Sequence, residues 1–413
     1  MSFFLRKHTG RHLDSLDGLR ALSIVFVIVF HAYFFSQYAF ESNALFFKFS
    51  SELPFWLAWV RRGDLGVDVF FVLSAFLIGH QLFSERLQKN DISLKKFYLK
   101  RFLRIYPAYL CALLIFGLAK GWDTNMLGNI FAYNNLFNIK DIVIPWSWSL
   151  SVEIQFYAVF PLLIITIRST KVGLLTCLAL LLLSTSWMTY FYFGNEKLLA
   201  GTMMDFILND EKETALHYMQ YLYVSPIARL PAFIFGVVAA WLWSHKHELL
   251  HSRFQQSKHY YMLANILLVT GCILIASFDI YQPKALLSST EQTLYSINML
   301  IGRPLFALFI ASILLLSLLP KDESSFGKNL LSNRFLFPIA RGSYAMYLFH
   351  PPFLFLSFYV LFGEQKLTTL ASWELLTMAA LALGFSWIFS IGIYYAVEKW
   401  CNYGRLFKNK EIT

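Results

Sequence analysis

The sequence is divided into ten apolar runs, each long enough to cross a bilayer, and this constrains the fold more than any other feature. Crossing the hydrocarbon takes about 20 mostly apolar residues. Such runs lie at approximately 16–36, 65–83, 102–119, 147–167, 172–193, 224–243, 260–278, 297–319, 342–362 and 374–397. A backbone in lipid must satisfy its own hydrogen bonds, so runs of this length read as helices. Composition agrees: 57% of the 413 residues are hydrophobic and 15% charged, against about 45–50% and 25% in soluble domains. The expected fold is all-α: a polytopic membrane protein with about ten transmembrane helices in one bundle. A single membrane domain over 1–413, with no fused soluble domain, is expected.

The net charge of +10 does not indicate nucleic-acid binding, which needs basic residues gathered on one exposed face. Here they sit in short blocks between apolar runs. With a cytoplasmic N-terminus, the inward segments are 1–15, 84–104, 168–171, 244–259, 320–341 and 398–413. They hold 23 of the 35 Lys and Arg, and the opposite loops hold 9. Cytoplasmic loops carry the Lys/Arg excess, so both termini are expected in the cytoplasm. The basic start (Arg6, Lys7, Arg11) leads into a run that carries Asp17, Arg20 and His31 and lacks a small-residue cleavage site. This reads as an uncleaved first helix rather than a signal peptide. Cys111, Cys177, Cys272 and Cys401 are scattered, with no CxxC or Cys/His spacing, so neither a disulfide nor a metal site is expected.

Ionisable side chains inside a bilayer cost at least ~2.5–3.5 kcal/mol at a helix centre, so each one needs a reason. Arg20 and His31 are eleven residues apart on the first helix. Eleven steps of about 100° fall within about 20° of three full turns, so both project from one face, about 16 Å apart along the axis. Arg20 is then at the cytoplasmic boundary and His31 near the midplane. Such a face suits a ligand with an anionic end in the cytoplasm and a reactive end in the membrane, as coenzyme A has. It is equally compatible with a snorkelling Arg and a helix-bonding His. Arg101 and Arg104, at i and i+3 before the third apolar run, share a helix face and have the fork geometry for phosphate.

Three further positions converge by depth. Glu153 lies in the segment Trp146-Ser147-Trp148-Ser149-Leu150-Ser151-Val152-Glu153, about 10 Å below an interfacial Trp at helical rise. It is the only charge between Asp141 and Arg168. His350 follows Tyr347 and precedes Pro351 and Pro352; it sits near mid-membrane, either in the chemistry or bonded to a carbonyl that Pro351 frees. Asp68 enters the second helix from the outside, either to serve the site or to pair with Arg229 or Arg303. Together these residues make a polarised site, with arginines at the cytoplasmic mouth and His and carboxylates at the midplane and above.

At these residues the chain resembles acyltransferase family 3. LDSLDGLRALSIVFVIVFHAYFF carries the Arg-x10-His motif at Arg20 and His31. GVDVFFVLSAFLIG, FYLKRFLRIYP, WSWSLSVEIQFYAVFPLL, RLPAFIFGVV, GSYAMYLFHPPFL and Val397-Glu398-Lys399 follow in order and spacing. The likeness covers roughly residues 12–400. One departure is Ser74-Ala75-Phe76, where the family has Ser-Gly-Phe; a tighter helix contact or a narrower pocket is expected there. Some members carry a fused hydrolase-like domain, which is not expected after Thr413.

The resemblance implies a bacterial inner-membrane O-acyltransferase. It would move an acyl group, acetyl in many members, from cytoplasmic acyl-CoA to a hydroxyl of an extracytoplasmic glycan or glycolipid. It assigns catalysis to His31, as general base or as transient acyl carrier, with Glu153. It gives the acyl-CoA phosphates to Arg20, Arg101 and Arg104, and acceptor binding or orientation to Asp68, His350, Tyr347 and Ser149. No bound cofactor and no metal are implied; acyl-CoA is a co-substrate, and the partners are the acceptor and the bilayer. Lipopolysaccharide, capsule, peptidoglycan and exopolysaccharide remain open as acceptors, as does the oligomeric state. The alternative is a proton-coupled secondary transporter using the same His and Glu, although the inverted repeats common in such folds are not visible in the sequence.

Overall fold

A computed structural model describes residues 3–4, 14–121, 126–137, 139–167, 169–255, 258–278, 283–319 and 326–401. Arg6, Lys7, Arg11, Arg168 and most of 398–413 lie outside the described residues. Ten helices are long and apolar enough to cross a membrane. They are α1 (Asp14–Ser36), α2 (Leu65–Lys89), α3 (Leu94–Ala119), α4 (Pro145–Thr166), α5 (Thr170–Phe193), α6 (Lys212–Arg253), α7 (His259–Ser277), α8 (Ser289–Leu318), α9 (Leu336–Phe362) and α10 (Ser372–Glu398). Each matches one apolar run of the sequence. Among the described residues there is no strand, only an isolated bridge between Phe40 and Leu367. The chain is a multi-pass, all-α membrane protein.

Several helices extend beyond their expected bounds, and two of these extensions bear on the site. α3 starts at Leu94 because the basic stretch Lys95–Arg104 coils into its first turns instead of remaining a loop. α6 begins well before its apolar run: a short helical stretch and a π segment, Tyr218–Tyr223, lead to a break before Pro226. Further π segments occur at Asn298–Gly302, just before Arg303, and at Tyr394–Glu398. Such bulges are frequent at functional sites. The loop between α1 and α2 is also ordered. It holds the helix Asn43–Glu52, capped by the Ser42 hydroxyl on the Leu45 amide, and a 3₁₀ segment, Phe55–Arg62.

The bundle is uneven. About 72% of the apolar stretch of α2 and 61% of those of α1 and α6 are buried, against 11% for α5 and none for α7. α1, α2, α6 and α9 therefore form the centre, and α5 and α7 sit at the margin. Leu267, Ile273 and Leu274 on α7 are more than half exposed. In water that surface would cost about 25 cal/mol per Å²; against lipid tails it costs nothing comparable. Close approach at the centre depends on small residues. A Cβ at Gly66 would lie 2.6 Å from the Ser23 carbonyl oxygen, so glycine lets the start of α2 touch the α1 backbone. The unusual Ala75 is fully buried, and a Cβ at Gly236 would stand 2.7 Å from its methyl. The departure from the family pattern thus sits in the α2–α6 contact, and Gly236 leaves room for the methyl.

Candidate active site

The proline pair of α9 organises the site. Proline has no N–H, so Pro351 leaves the carbonyl four residues back, that of Tyr347, without its helical donor, and Pro352 does the same for Leu348. Both oxygens find other donors. His350 Nδ1 lies 2.8 Å from the Tyr347 oxygen, and Trp146 Nε1 donates to the Leu348 oxygen at 3.0 Å. A carbonyl only accepts, so His350 carries its proton on Nδ1 and presents an unprotonated Nε2. That atom lies 3.1 Å from His31 Nδ1, and His31 Nδ1 is also 2.9 Å from the Val27 oxygen. Both neighbours of His31 Nδ1 are acceptors, which assigns the proton there and leaves His31 Nε2 as a free base. The rings are 4.7 Å apart, and Phe35 stacks on His31 at 5.4 Å. His350 is wholly buried, whereas His31 is only partly so; of the two, His31 is the one a substrate can reach. A small cavity of about 160 Å³ begins one residue beyond it, lined by Ala32, Phe35, Leu354 and Phe355.

α4 supplies the next layer. Trp146, Ser149, Glu153 and Tyr157 recur at helical spacing on one face. The Tyr347 hydroxyl donates to the Trp146 carbonyl and sits 2.7 Å from Ser149 Oγ. One turn further, Glu153 Oε1 accepts from both Ser74 and Tyr157. Among the described residues Glu153 bonds neither histidine. Its charged neighbours are Arg20 and Arg101, so the structure places it at the arginine end of the site rather than beside His31.

The arginines close that end. Arg20 pairs with Asp17 at 3.5 Å and lies within the electrostatic reach of Arg104, Glu153 and Tyr157. Arg101 Nη2 donates to Gln81 at 2.7 Å, its guanidinium lies over the rings of Phe97 and Tyr157, and its buried Nε has no hydrogen-bond partner. Arg104 is exposed. Two residues not singled out for the site join them: Arg341, which donates to the Tyr394 hydroxyl at 2.6 Å, and Glu398, near Arg104 and Arg341 with Oε1 buried and unpartnered. Tyr344 donates to the Ile105 oxygen at 2.8 Å. The i, i+3 series Arg341, Tyr344, Tyr347 and His350 was visible in the sequence as one face of α9. Ser74 and Tyr157 were missed, although Tyr157 stands one turn after Glu153.

Asp68 belongs elsewhere. One oxygen pairs with Arg229 at 3.3 Å and the other with Arg303 at 2.5 Å. Arg303 also binds Asp64, which in turn faces Arg62 at 3.9 Å. Arg229 lies over Trp148 and Tyr223. Of the two pairings open for Asp68, the structure makes both. Burial alone would push the Asp64 carboxyl up, but Arg303 and Arg62 outweigh it and hold the group below the usual carboxylate value.

The comparisons with known proteins bear on the same residues. An acyltransferase domain model of family 3 matches residues 13–391. A peptidoglycan O-acetyltransferase OatA of Listeria monocytogenes is 27% identical over 210 residues, 45% of this chain and 30% of that protein. The O-acetyltransferase OatA of Staphylococcus aureus is 25% identical over 386 residues, 87% of this chain and 53% of that protein. A putative O-acetyltransferase of the same species, strain COL, is 25% identical over 366 residues, 84% of this chain and 51% of that protein. The chain thus spans about half the length, or less, of these relatives. No solved structure matches. With the domain model covering nearly the whole chain and its blocks carrying the histidines and arginines described above, this protein belongs to the acyltransferase 3 family.

Proposed function

We propose that the chain is a membrane O-acetyltransferase that takes its acyl group from acyl-CoA in the cytoplasm and delivers it to a hydroxyl of an extracytoplasmic glycan or glycolipid in a bacterial inner membrane. The observation that carries this reading is the hydrogen-bonded His31–His350 pair, three turns along α1 from an arginine cluster. The names of the relatives support O-acetyl transfer, and the bias of basic residues supports the cytoplasmic side for the arginines.

In this mechanism Arg20, Arg101 and Arg104 hold the donor's phosphates, and the pantetheine arm runs past Glu153 and Tyr347 toward His31. His31 Nε2 removes the proton from the acceptor hydroxyl as its oxygen attacks the thioester carbonyl. When the carbon–sulfur bond breaks, the coenzyme A thiolate takes that proton back. The His350 Nε2 lone pair stabilises the transient imidazolium through the Nδ1–H and fixes the ring, the part an orienting partner plays in hydrolase triads. Ser149 and Tyr347 offer hydroxyls to the acceptor.

The test is release of coenzyme A thiol from acetyl-CoA by purified protein in detergent, together with ester analysis of envelope glycans from deletion and wild-type cells. Thiol release and loss of glycan esters on deletion are expected. Proton-coupled uptake into vesicles without thioester cleavage would overturn the reading in favour of a transporter. A stable acyl group trapped on His31 would replace the base with a nucleophile.

A further inference from the structure

A cavity of about 840 Å³ lies away from the histidines and arginines, on another face of α4. Its cause is the tilt of α5. The buried residues of that helix, Ser184, Met188 and Tyr192, all belong to its C-terminal half. There Trp187 donates to the Tyr221 carbonyl at 2.8 Å, and Phe191 stacks on Tyr221 at 4.2 Å. The N-terminal half splays away, with Leu174, Leu175 and Leu178 more than half exposed. The wedge that opens is walled by Gly173, Cys177 and Leu180 of α5, by Val159 and Leu163 of α4, and by residues of α6. Its volume is within the range of about 300–1,000 Å³ for small-molecule sites, and its walls face a medium of hydrocarbon chains.

One end of the wedge is polar. Arg86, Asn90, Ser169 and His245 line it there, and no carboxylate lines it anywhere among the described residues. Arg86 Nη1 donates to the carbonyls of Ile164, in the last turn of α4, and Ile167, just past it, at 2.7 and 2.9 Å. The remaining nitrogens of its guanidinium bond no described residue. The charge therefore stays fixed at the mouth of an apolar slot, with donors left over. That is the complement of a molecule with an anionic head and a hydrocarbon tail.

We propose that this wedge is a lipid site that holds an acyl chain of an anionic glycerophospholipid, with the phosphate at Arg86. The site is independent of the transfer chemistry, because α4 stands between the wedge and the arginine end of the active site. The tilted α5 is then completed by lipid rather than by protein.

The experiment uses phosphatidylglycerol and phosphate-free diacylglycerol carrying the same photoreactive acyl chain, cross-linked to the purified protein and mapped by mass spectrometry. α7, more exposed than α5 and contributing no residue to the wedge, is the internal control. Labelling should concentrate on α4, α5 and α6, and phosphatidylglycerol should exceed diacylglycerol there by about tenfold, the worth of one charge-assisted hydrogen bond. In Gly173→Phe, whose added Cβ meets only Ile167 at 3.4 Å, labelling of the wedge should fall several-fold while that of α7 is unchanged. Leu230→Trp fills the same space from α6 and serves if the first variant does not fold. Equal labelling of α7 and the wedge, equal labelling by the two lipids, or labelling that survives filling would each overturn the proposal.

Discussion

Two polar clusters share this bundle, and they are built on different rules. In the cluster of Arg62, Asp64, Asp68, Arg229 and Arg303, cations and anions alternate, and ion pairs join three elements that are distant in sequence. In the other, Arg20, Arg101 and Arg104 gather with like charges facing one another, and Glu153 binds hydroxyls instead of guanidinium groups. Arg101 keeps a buried nitrogen without a partner, and Glu398 a buried oxygen. The first cluster fastens α2, α6 and α8 together through its ion pairs, although Arg229 Nη2 is likewise buried without a hydrogen-bond partner among the described residues. In the second, among the described residues, only Arg20 of the three arginines pairs with a carboxylate, that of Asp17, which suits a site that waits for a phosphorylated ligand. An intramembrane charge is therefore a weak guide to function until its partners are known: Asp68 and Glu153 have the same chemistry, and only their neighbours separate them.

The comparison can be broken in several places. His31→Ala should lower transfer by about 10²–10⁴-fold, the usual contribution of a positioned base, with normal membrane insertion; thiol release from acetyl-CoA measures it. Asp68→Ala should act on stability instead. It leaves Arg229 and Arg303 short of a buried counter-charge, at a cost of about 3–5 kcal/mol, read as lost thermal stability in detergent. His350→Ala should reduce kcat by about 10²-fold through loss of the partner that stabilises the His31 imidazolium, leaving KM for acetyl-CoA unchanged and altering the pH–rate profile. A purely structural role for His350 would leave that profile intact.

Smaller effects sharpen the contrast. Arg104→Ala should raise KM for acetyl-CoA by about tenfold, as expected for one charge-assisted contact, with little change in kcat. Unchanged acetyl-CoA affinity would remove Arg104 from the donor site. The smallest effect concerns acid. Asp64 has a lowered folded-state value, so it contributes stability above the ordinary Asp value of about 3.9. That contribution is lost as pH falls through the folded value. Asp64→Asn should flatten the acid limb of thermal stability.

The one-dimensional features were legible in the sequence. Length and apolarity gave ten helices, and the spacing of Arg20 and His31 placed them on one face of α1. Proline chemistry made the His350 bond to a freed carbonyl foreseeable, and depth alone gave Arg229 and Arg303 as partners of Asp68. Contacts between distant helices were not legible. Ser74 is 79 residues from Glu153, and nothing in either local sequence says that they meet. Depth placed Glu153 near His31, but it stands one helical turn beyond Ser149, at the arginine end. The wedge beside α5 was hidden for the same reason: that helix is among the longest uncharged runs in the chain, and its tilt comes from aromatic contacts at one end only.

The central claim is that the histidine–arginine cluster does chemistry while the Asp–Arg cluster holds the helices. Acetyl transfer per folded molecule, measured side by side for His31→Ala and Asp68→Asn in reconstituted vesicles, tests it most directly. The account predicts a stable but inactive His31 variant, and an unstable Asp68 variant whose folded fraction turns over near the wild-type rate. An active His31 variant, or an Asp68 variant that folds normally yet fails to transfer, would contradict it.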